Sequence, residues 1–431
     1  MKANFSGFGA QPISSIKRFY LGTHRTASPR ETLERIQPHL KTCGITRVAN
    51  VTGLDYIGLP VVMVVRPNSR GVSVAQGKGV DLDSAKVSGL MEAIETFHAE
   101  RIHSDLRLGT LRDLQNDLCI ANVLELPQRP GSHFHSDIPM LWIEGKRIDG
   151  ESSIWVPYNV VHTNYTLPSP PGSGIFAETS NGLASGNHAY EAICHAICEL
   201  IERDAVSLKY LSFAEGDEAI KRSDCRVDQS SIGDSLCRDA LDRYSHARIA
   251  VDILDFTSDI GIPVFECNIR EEKGNPFRSL YPTVGWGCHP TREIALLRAL
   301  TEAAQSRLTL IAGARDDVQR SSYSQYGLDT ESTNNAHQVQ HHVTTNVRFE
   351  RIPTINHASF QEELDYLVRS LGSVGLDEIV VVDLTKEEFG IPVVRVVVPG
   401  LEGIGPGTGF IGLYRRGRRA RSLLSQKRAF A

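Results

Sequence analysis

Paired glutamates at helical spacing are the residues of this chain best suited to chemistry. Glu199 and Glu202 stand three residues apart in the stretch 189–204, which has Ala, Ile and Leu at helical spacing and no helix breaker. Both carboxylates therefore project from nearly the same side of one helix. Such a pair suits a hard cation such as Mg²⁺, which shares phosphate oxygens with a substrate. The open alternative is a solvated polar face with a Glu199 to Arg203 ion pair.

The same pattern occurs twice more. The stretches 77–95 and 285–307 repeat the order of a glycine-rich turn, an apolar helix, and Glu-x-x-Glu or Glu-x-x-Gln, with the first glutamate in the same register each time. We interpret this recurrence as three related units whose helices meet at one centre. Four carboxylates then converge there: Glu92, Glu95, Glu199 and Glu202. Because like charges so close raise each other's pKa, the sequence predicts two or more divalent ions between them.

Bulk properties exclude several classes of protein. The 431 residues can bury a large core and allow two or three subdomains. The net charge of −5 gives no reason to expect a nucleic-acid partner. No apolar run is long enough to span a bilayer, and the N-terminus lacks the apolar segment of a signal peptide. We therefore expect a cytoplasmic protein without a membrane segment.

Alternation and composition predict a mixed α/β fold. Apolar runs predict strands at 45–52, 59–66, 153–161, 248–256, 262–269, 379–383 and 391–399. An amphipathic helix is expected at 360–371, and the third glutamate helix should reach about residue 314. The eight cysteines are scattered without a Cys-x-x-Cys, and Cys194 and Cys198 on the central helix are interpreted as core residues, with metal ligation as the alternative.

The N-terminal region carries a candidate anion site. Ser28 and Pro29 form a good helix start, with Ser as the N-cap and Pro in the first turn. Arg25 lies just before that helix and Thr32 lies in its first turn. A cation and a hydroxyl at a helix N-terminus can hold an anion, although capped helices near an arginine are also common without one.

Two regions lack the periodicity of regular structure. The polar stretch at about 316–346 is predicted to be a long mobile loop; its three histidines form a weak candidate metal group because no carboxylate stands at a fitting offset. The C-terminal residues after 413 are rich in arginine and lysine. This basic tail is interpreted as a solvated terminus, with contact to an acidic partner as the alternative.

The three glutamate helices and the turns before them resemble the YcaO family. The matching sequences are Gly77-Lys-Gly79 with Ser88-Gly-Leu-Met-Glu92-Ala-Ile-Glu95, Asn181 to Asn187 with Glu191 and Glu199-Leu-Ile-Glu202-Arg203-Asp204, and Arg298-Ala-Leu-Thr-Glu302-Ala-Ala-Gln305-Ser-Arg307. The resemblance covers roughly residues 15–400. It implies a YcaO-like fold with three related helix-strand units around one ATP cleft.

The resemblance further implies ATP-dependent activation of a peptide backbone amide, with ATP and Mg²⁺ as cofactors. A nucleophile adds to the amide carbon, and the oxygen is phosphorylated and leaves as phosphate. By matching positions, the metal ligands are Glu92, Glu95, Glu199 and Glu202. The nucleotide-binding residues implied in the same way are Arg25, Thr32, Ser88, Asn187, Glu191, Arg203, Arg298, Gln305 and Arg307. Such a site fits phosphoryl transfer, which needs positioning and charge neutralisation more than a protein nucleophile.

The C-terminal strand favours one branch of the family. The stretch 393–402, with Arg395, Pro399 and Glu402, resembles members that work beside a TfuA protein and form thioamides from sulfide. The chain lacks the Pro-x-Pro-x-Pro ending of many azoline-forming members, so no general base is assigned. Azoline formation on Cys, Ser or Thr of a precursor peptide stays an alternative, as does a non-catalytic nucleotide-binding scaffold.

We expect three regions along the chain. Residues 1–60 form an N-terminal segment that contributes to the nucleotide site, 61–400 form the catalytic domain, and 401–431 form a C-terminal segment with the basic tail. The expected partners are a precursor peptide or protein substrate, a TfuA-type protein and a sulfide source. The resemblance also implies a homodimer.

Overall fold

A computed structural model of the protein describes residues 15–129, 131–150, 152–214, 225–272, 282–316 and 347–403, with the side chains of 211–214 left out. All of the predicted mobile loop except Asp316 lies outside these described residues, as does the basic tail. In the described part of the chain, no helix is long and apolar enough to cross a membrane.

The first unit combines a small antiparallel sheet with two helices. Helix α1 (Pro29–Ile36) comes first, and its N-terminus carries the predicted Ser28 cap in a full capping box with Glu31. Strands β1 (Arg47–Asn50), β2 (Val61–Val65) and β3 (Val74–Lys78) then pair in that order. Helix α2 (Leu82–Glu100) follows β3 and packs against it. Glu92 and Glu95 therefore lie on a helix that is braced by its own sheet.

The second unit belongs to the largest sheet. In chain order it contains β4 (Leu106–Gly109), α3 (Leu111–Leu114), β5 (Met140–Arg147), β6 (Ser153–Pro157), β7 (Leu183–Ser185) and α4 (Ala189–Ala214). Helix α4 follows β7 and carries Glu199 and Glu202. The predicted strand at 153–161 ends at Pro157, where a short 3₁₀ turn takes over.

The third unit repeats the arrangement. After β8 (Val227–Asp228) and α5 (Ser235–His246), the strands β9 (Ile249–Asp255), β10 (Val264–Glu271) and β11 (Thr283–Cys288) form an antiparallel sheet in the order β11-β10-β9. Helix α6 (Arg292–Ala312) follows β11 and packs on it. The C-terminal cap of α6 is Gly313 in the left-handed conformation, which suits glycine.

The last elements complete the central sheet. Strand β12 (Val347–Arg348) pairs with β8, and α7 (Phe360–Ser373) packs against α4. Strands β13 (Val380–Asp383) and β14 (Val393–Val397) join the six-stranded sheet, whose order is β4-β5-β13-β14-β7 with β6 paired to β5. Val394 and Val396 share a core with α4, whereas Val393 and Val397 join the core on the other face. The glutamate helices α2 and α4 are thus tied to one sheet.

The glycine-rich stretches were predicted as turns, but the structure places glycines of the first and third in strands, whereas Gly182 and Gly186 of the second flank the short strand β7. Gly77 lies in β3, and Gly285 and Gly287 lie in β11. A Cβ added at Gly77 would stand 2.0 Å from the carbonyl oxygen of Ala85 in α2, and one at Gly285 would stand 2.2 Å from the nitrogen of Ala303 in α6. These glycines are needed because the helix backbone lies directly on the strand.

The mixed α/β fold and the three related units around a common centre are therefore confirmed. The seven predicted strands are present, with ends that differ by a few residues, and the 360–371 helix extends to Ser373. The division at residues 60 and 400 remains a prediction.

Candidate functional site

The four predicted metal ligands come together between the first two units. Glu95 on α2 accepts two hydrogen bonds from Ser185 at the end of β7, from the backbone N at 2.8 Å and from Oγ at 2.7 Å. Glu199 on α4 accepts a hydrogen bond from the backbone N of Gly182 at 3.3 Å. The charge of Glu199 raises the pKa of Glu92, and the charge of Lys78 acts on both Glu92 and Glu202. The carboxylates of two helices therefore face one another across β7.

Burial makes ionisation of these carboxyls expensive. Burial raises the pKa of Glu92 to about 7 and the pKa of Glu95 to about 8, and Glu199 adds to both shifts through charge repulsion. Burial likewise raises the pKa of Glu202 to about 7 and raises that of Glu199. Oxygen donors that are this close and this costly to ionise fit divalent cations, which favour the charged carboxylates.

The third unit reaches the cluster through a pair that was not among the predicted site residues. Lys78 at the end of β3 donates to Glu302 on α6, and the backbone N of Trp286 donates to the same carboxylate at 3.2 Å. Burial opposes ionisation of Glu302, but Lys78 and then Arg203 outweigh it and hold the pKa below its usual value. The shared register of the three helices could have identified Glu302 as a site residue. The only sequence feature that marked Lys78 was its position between two glycines.

Arg203 is the cation nearest the second glutamate pair. Its Nη2 lies 3.8 Å from Oε1 of Glu202, and its guanidinium carbon lies 5.5 Å from the centre of the Trp286 ring. Burial alone would lower the pKa of Arg203, but the charges of Glu202, Glu302 and Glu199 raise it. Among the described residues, no group accepts from its buried Nε. A fully charged arginine with a spare donor suits a phosphate oxygen.

The N-terminal segment closes over the start of α4. Glu191 is buried and accepts from Thr26, from the backbone N at 2.9 Å and from Oγ1 at 2.8 Å. The Nε of Arg25 lies 3.5 Å from Glu191 Oε1. Thr32 donates from Oγ1 to Asn187 Oδ1 at 3.1 Å. Four of the predicted nucleotide residues thus form one network, and sequence reasoning missed Thr26, which joins it.

A small cavity lies beside this network. Arg298 on α6 contacts His195 on α4, with Nη2 and Nε2 3.2 Å apart. The cavity is lined by side chains of the N-terminal segment before α1, of α4, of α6 with the residues just before it, and of α7, including Arg25, Glu191, His195, His289, Arg298 and Glu363. Arg25 and Arg298 place two positive charges on its wall. The predicted residues Arg25, Glu191 and Arg298 therefore share one pocket.

A buried salt bridge anchors the N-terminal segment. Lys17 donates from Nζ to Glu363 Oε2 of α7 at 2.6 Å and lies 3.1 Å from Nδ1 of His24. His24, His289 and Glu363 have ligand atoms within 4.8 Å of one another, as in a metal site. The ammonium of Lys17 already supplies the positive charge that Glu363 needs. This group therefore acts as an anchor that holds Arg25 and Thr26 in place.

Three predicted nucleotide residues are placed differently. Ser88 lies on α2 one turn before Glu92, and Gln305 lies one turn after Glu302. Arg307 differs from the expectation, because its Nε donates to Asp55 at 2.7 Å and its Nη2 donates to Glu271 at 3.0 Å. It is 1% exposed. Nε and Nη2 of Arg307 are thus engaged in ion pairs within the protein, which indicates a structural role, and its contact with the nucleotide stays a prediction.

Helices that pack on sheets and bring buried carboxylates next to Arg203 and Arg298 are typical of an α/β protein that binds a nucleotide with divalent cations. The chain matches the family model described as YcaO cyclodehydratase, ATP- and Mg²⁺-binding, over residues 76–402. It is 38% identical over 385 residues, or 88% of each chain, to a Rhizobium leguminosarum bv. trifolii protein from the tfuA 3′ region. A Methanothermobacter thermautotrophicus protein is 34% identical over 377 residues, with 87% of this chain and 94% of the relative covered. The chain belongs to the YcaO family, and the expected cofactors, ATP and Mg²⁺, are those of the family.

Solved structures show the same fold. The YcaO of Methanopyrus kandleri bound with AMPPCP and Mg²⁺ matches with a TM-score of 0.72 at 21% identity, covering 94% of this chain and 99% of that one. A heterocyclase in complex with substrate and cofactor matches with a TM-score of 0.74 at 22% identity. There the match covers 91% of this chain and only 54% of the heterocyclase chain, so this chain spans about half the length of that protein.

Proposed function

We propose that this protein uses ATP and Mg²⁺ to activate a peptide backbone amide and replaces its oxygen with sulfur. The observation that carries the proposal is the convergence of Glu92, Glu95, Glu199 and Glu202 beside Arg203. Buried carboxylates next to arginines suit a polyphosphate with its cations. The tfuA-region relative, at 38% identity, supports the sulfur-transferring branch.

The residues divide into three roles in this proposal. The four glutamates hold Mg²⁺, which supplies charge neutralisation of the triphosphate when bound. Arg203 binds phosphate oxygens together with Arg25 and Arg298, which line the cavity. Thr32, Asn187 and Glu191 position the nucleoside, and Ser88 and Gln305 remain proposed contacts on the two flanking helices. Thr26 keeps Glu191 oriented through its two hydrogen bonds.

The proposed reaction balances without a further oxidant or reductant. Hydrogen sulfide adds through sulfur to the amide carbon, and the amide oxygen takes the γ-phosphoryl group of ATP. Collapse of the adduct breaks the C–O bond, so the products are thioamide, ADP, phosphate and a proton. The chain's contribution is to bind and orient the phosphates and to neutralise charge. A TfuA-type protein as sulfide donor, a homodimer and a cytoplasmic location stay part of the proposal.

Product mass tests the proposal directly. The purified chain is incubated with ATP, Mg²⁺, sulfide, a TfuA-type protein and a candidate precursor peptide encoded beside its gene. We expect the peptide to gain the mass difference between sulfur and oxygen, with phosphate release that requires both peptide and sulfide. The matched control, Glu199→Gln, should abolish both signals because it removes one charge from the cluster.

The heterocyclase fold match favours one second candidate, azoline formation. A cysteine-bearing peptide that loses water without any sulfide source would establish that reaction and overturn thioamide formation. Full activity of the Glu199→Gln variant would contradict every catalytic version of the site.

A further inference from the structure

Arg395 is a buried arginine in the middle of a strand where an apolar residue would be expected. It lies in β14 between Val394 and Val396 and is 3% exposed. Its two neighbours in the strand share a core with α4. Because side chains alternate along a strand, Arg395 belongs to the opposite face, with Val393 and Val397. A guanidinium buried on this face needs a hydrogen-bond acceptor for each of its donors. Donors that lack acceptors indicate a functional role.

The pairing of Arg395 is incomplete. Its Nη2 donates to the carbonyl oxygen of Thr179 at 2.7 Å. Its Nε and Nη1 are buried and find no acceptor among the residues that the structure describes. Arg66, which is also 3% exposed, shows the contrast, because it donates to Cys43 at 3.0 Å, to Thr96 at 2.7 Å and to Glu100 at 2.7 Å. Buried donors without acceptors cost stability, and charged groups cost the most.

A second buried donor lies near Arg395. The ring centres of His162 and Tyr165 are 6.4 Å apart, and Tyr165 donates to the carbonyl oxygen of Glu178, the residue before the Thr179 that accepts from Arg395. His162 is 1% exposed, and its Nδ1 accepts from the backbone N of Asn164 at 3.1 Å, so Nε2 carries the proton. In the described part of the chain, no group accepts from Nε2. Burial lowers the pKa of His162, and the charge of Arg395 lowers it further, so the ring is neutral. Its face stacks on Tyr158 with the ring centres 4.5 Å apart.

The cluster adjoins the four glutamates, because Arg395 lies opposite Leu183 of β7. Ser185 at the end of β7 donates to Glu95, and Gly182 just before β7 donates to Glu199. Burial lowers the pKa of Arg395 to about 10, while the charges of Tyr165 and Glu199 oppose that shift. Glu199 in turn feels the positive charge of Arg395. A set of unpaired donors beside the glutamates has the chemistry of an oxyanion site, since phosphate oxygens accept several hydrogen bonds from one guanidinium.

We infer that Arg395, with His162 beside it, binds a phosphoryl oxygen next to the glutamate cluster. The oxygen belongs either to the γ-phosphoryl group of ATP or to the phosphate formed from it. The inference rests on the proposed function and adds to it a specific residue for the group in transfer. It also explains why β14 keeps a charge where valine would pack better.

The test uses the full-length protein and thermal unfolding. We compare wild type, Arg395→Met and Arg66→Met without ligand, with Mg²⁺ and AMPPCP, and with Mg²⁺ and ADP over a range of inorganic phosphate. Methionine fills the apolar space without the charge, so Arg395→Met should keep or raise the unfolding temperature of the ligand-free protein, whereas Arg66→Met should lower it by leaving Glu100 unpaired.

Ligand binding gives the second readout. Arg395→Met should weaken AMPPCP binding if the γ-phosphoryl oxygen is held, or phosphate binding in the presence of Mg²⁺ and ADP if the released phosphate is held, by about ten-fold in either case. His162→Phe, which keeps the ring stack on Tyr158, should give a smaller loss. ADP binding without phosphate should not change.

Two results would overturn the inference. The first is an Arg395→Met protein that unfolds as early as Arg66→Met or fails to fold, which would make Arg395 a structural residue. The second is unchanged binding of both AMPPCP and phosphate. If wild type itself binds neither nucleotide, the proposed function fails and this inference fails with it; if wild type binds and Arg395→Met binds equally well, only this inference fails.

Discussion

Ser185 gives both of its hydrogen-bond donors to one carboxylate oxygen of Glu95, at 2.8 Å from the backbone N and 2.7 Å from Oγ. Ser185 ends strand β7 of the second unit, and Glu95 lies on α2 of the first. The two bonds therefore tie the helix of the first glutamate pair to the strand that precedes the helix of the second pair. A carboxylate oxygen that accepts from two donors keeps one orientation.

Replacing Ser185 should weaken Mg²⁺ binding. Ser185→Ala removes the Oγ donor and keeps the backbone one, so Glu95 loses orientation and part of its charge stabilisation. A hydrogen bond to a charged group contributes about 1.5–3 kcal/mol, which predicts roughly a ten- to hundred-fold rise in the Mg²⁺ concentration needed for half-maximal phosphate release. Ser373→Ala, at the exposed end of α7, is the control and should leave that concentration unchanged. An unaltered Mg²⁺ dependence in Ser185→Ala would show that Glu95 is oriented by something else.

Because of the glutamate cluster, we expect the stability of the protein to fall as pH rises and to increase when Mg²⁺ is added. Burial raises the pKa of Glu95 from 4.5 to about 8 in the folded protein. Between these two values the folded protein binds more protons than the unfolded chain, so the free energy of unfolding falls as pH rises. In EDTA we expect the unfolding temperature to decrease from pH 6 to pH 8.5, roughly across the raised pKa values.

Added Mg²⁺ should restore most stability at the alkaline end, where the carboxylates are charged and protons no longer compete. Glu95→Gln should flatten the profile in EDTA and reduce the gain from Mg²⁺. A gain that is equally large at both pH values in the wild type would contradict this interpretation of the cluster.

Because Lys17 and Glu363 form a buried salt bridge, we expect the effects of replacing them on the free energy of unfolding to be strongly non-additive. The two side chains are 0% and 2% exposed, so Lys17→Met leaves a buried carboxylate without its cation. We expect a loss of about 3–5 kcal/mol in the free energy of unfolding, measured in urea. Because the N-terminal segment carries Arg25 and Thr26, the variant should also raise the KM for ATP more than it lowers kcat.

The double variant Lys17→Met with Glu363→Leu separates charge from packing. It should recover much of the lost stability, because two apolar side chains can replace a buried pair at little cost. Additive losses in the double variant would mean that packing, and not the unpaired charge, dominates at this position.

The close packing of α2 on the glycine of strand β3 can be tested by substitution. Gly77→Ala puts a methyl group 2.0 Å from the Ala85 carbonyl oxygen, so α2 must move away from β3. Overpacking of this kind costs about 1–3 kcal/mol and sometimes more, and here it also displaces Glu92 and Glu95. Gly53→Ala is the control, since nothing lies within 4 Å of its added Cβ. Equal unfolding free energies for the two variants, measured in urea, would show that α2 can move away from β3 without loss of stability.

The sequence predicted the glutamate helices and their meeting point because helical periodicity and register are local properties. It misassigned the glycine stretches, since a glycine that admits a helix backbone and a glycine that makes a turn look alike in one dimension. Lys78, Ser185 and Thr26 escaped prediction because their partners are far away in the chain, on other elements. Arg307 shows the converse: its place in a motif implied a nucleotide contact, but Asp55 and Glu271 engage it.

The pair of Lys78 and Glu302 joins residues 224 positions apart. During translation, Lys78 is added to the chain long before Glu302. Until α6 has been synthesised, the first two units lack the contact with the third unit. A partly synthesised chain therefore lacks a complete nucleotide-binding site. The site should therefore become complete only after α6 (Arg292–Ala312) has left the ribosome, and fragments that stop before this helix should not bind nucleotide.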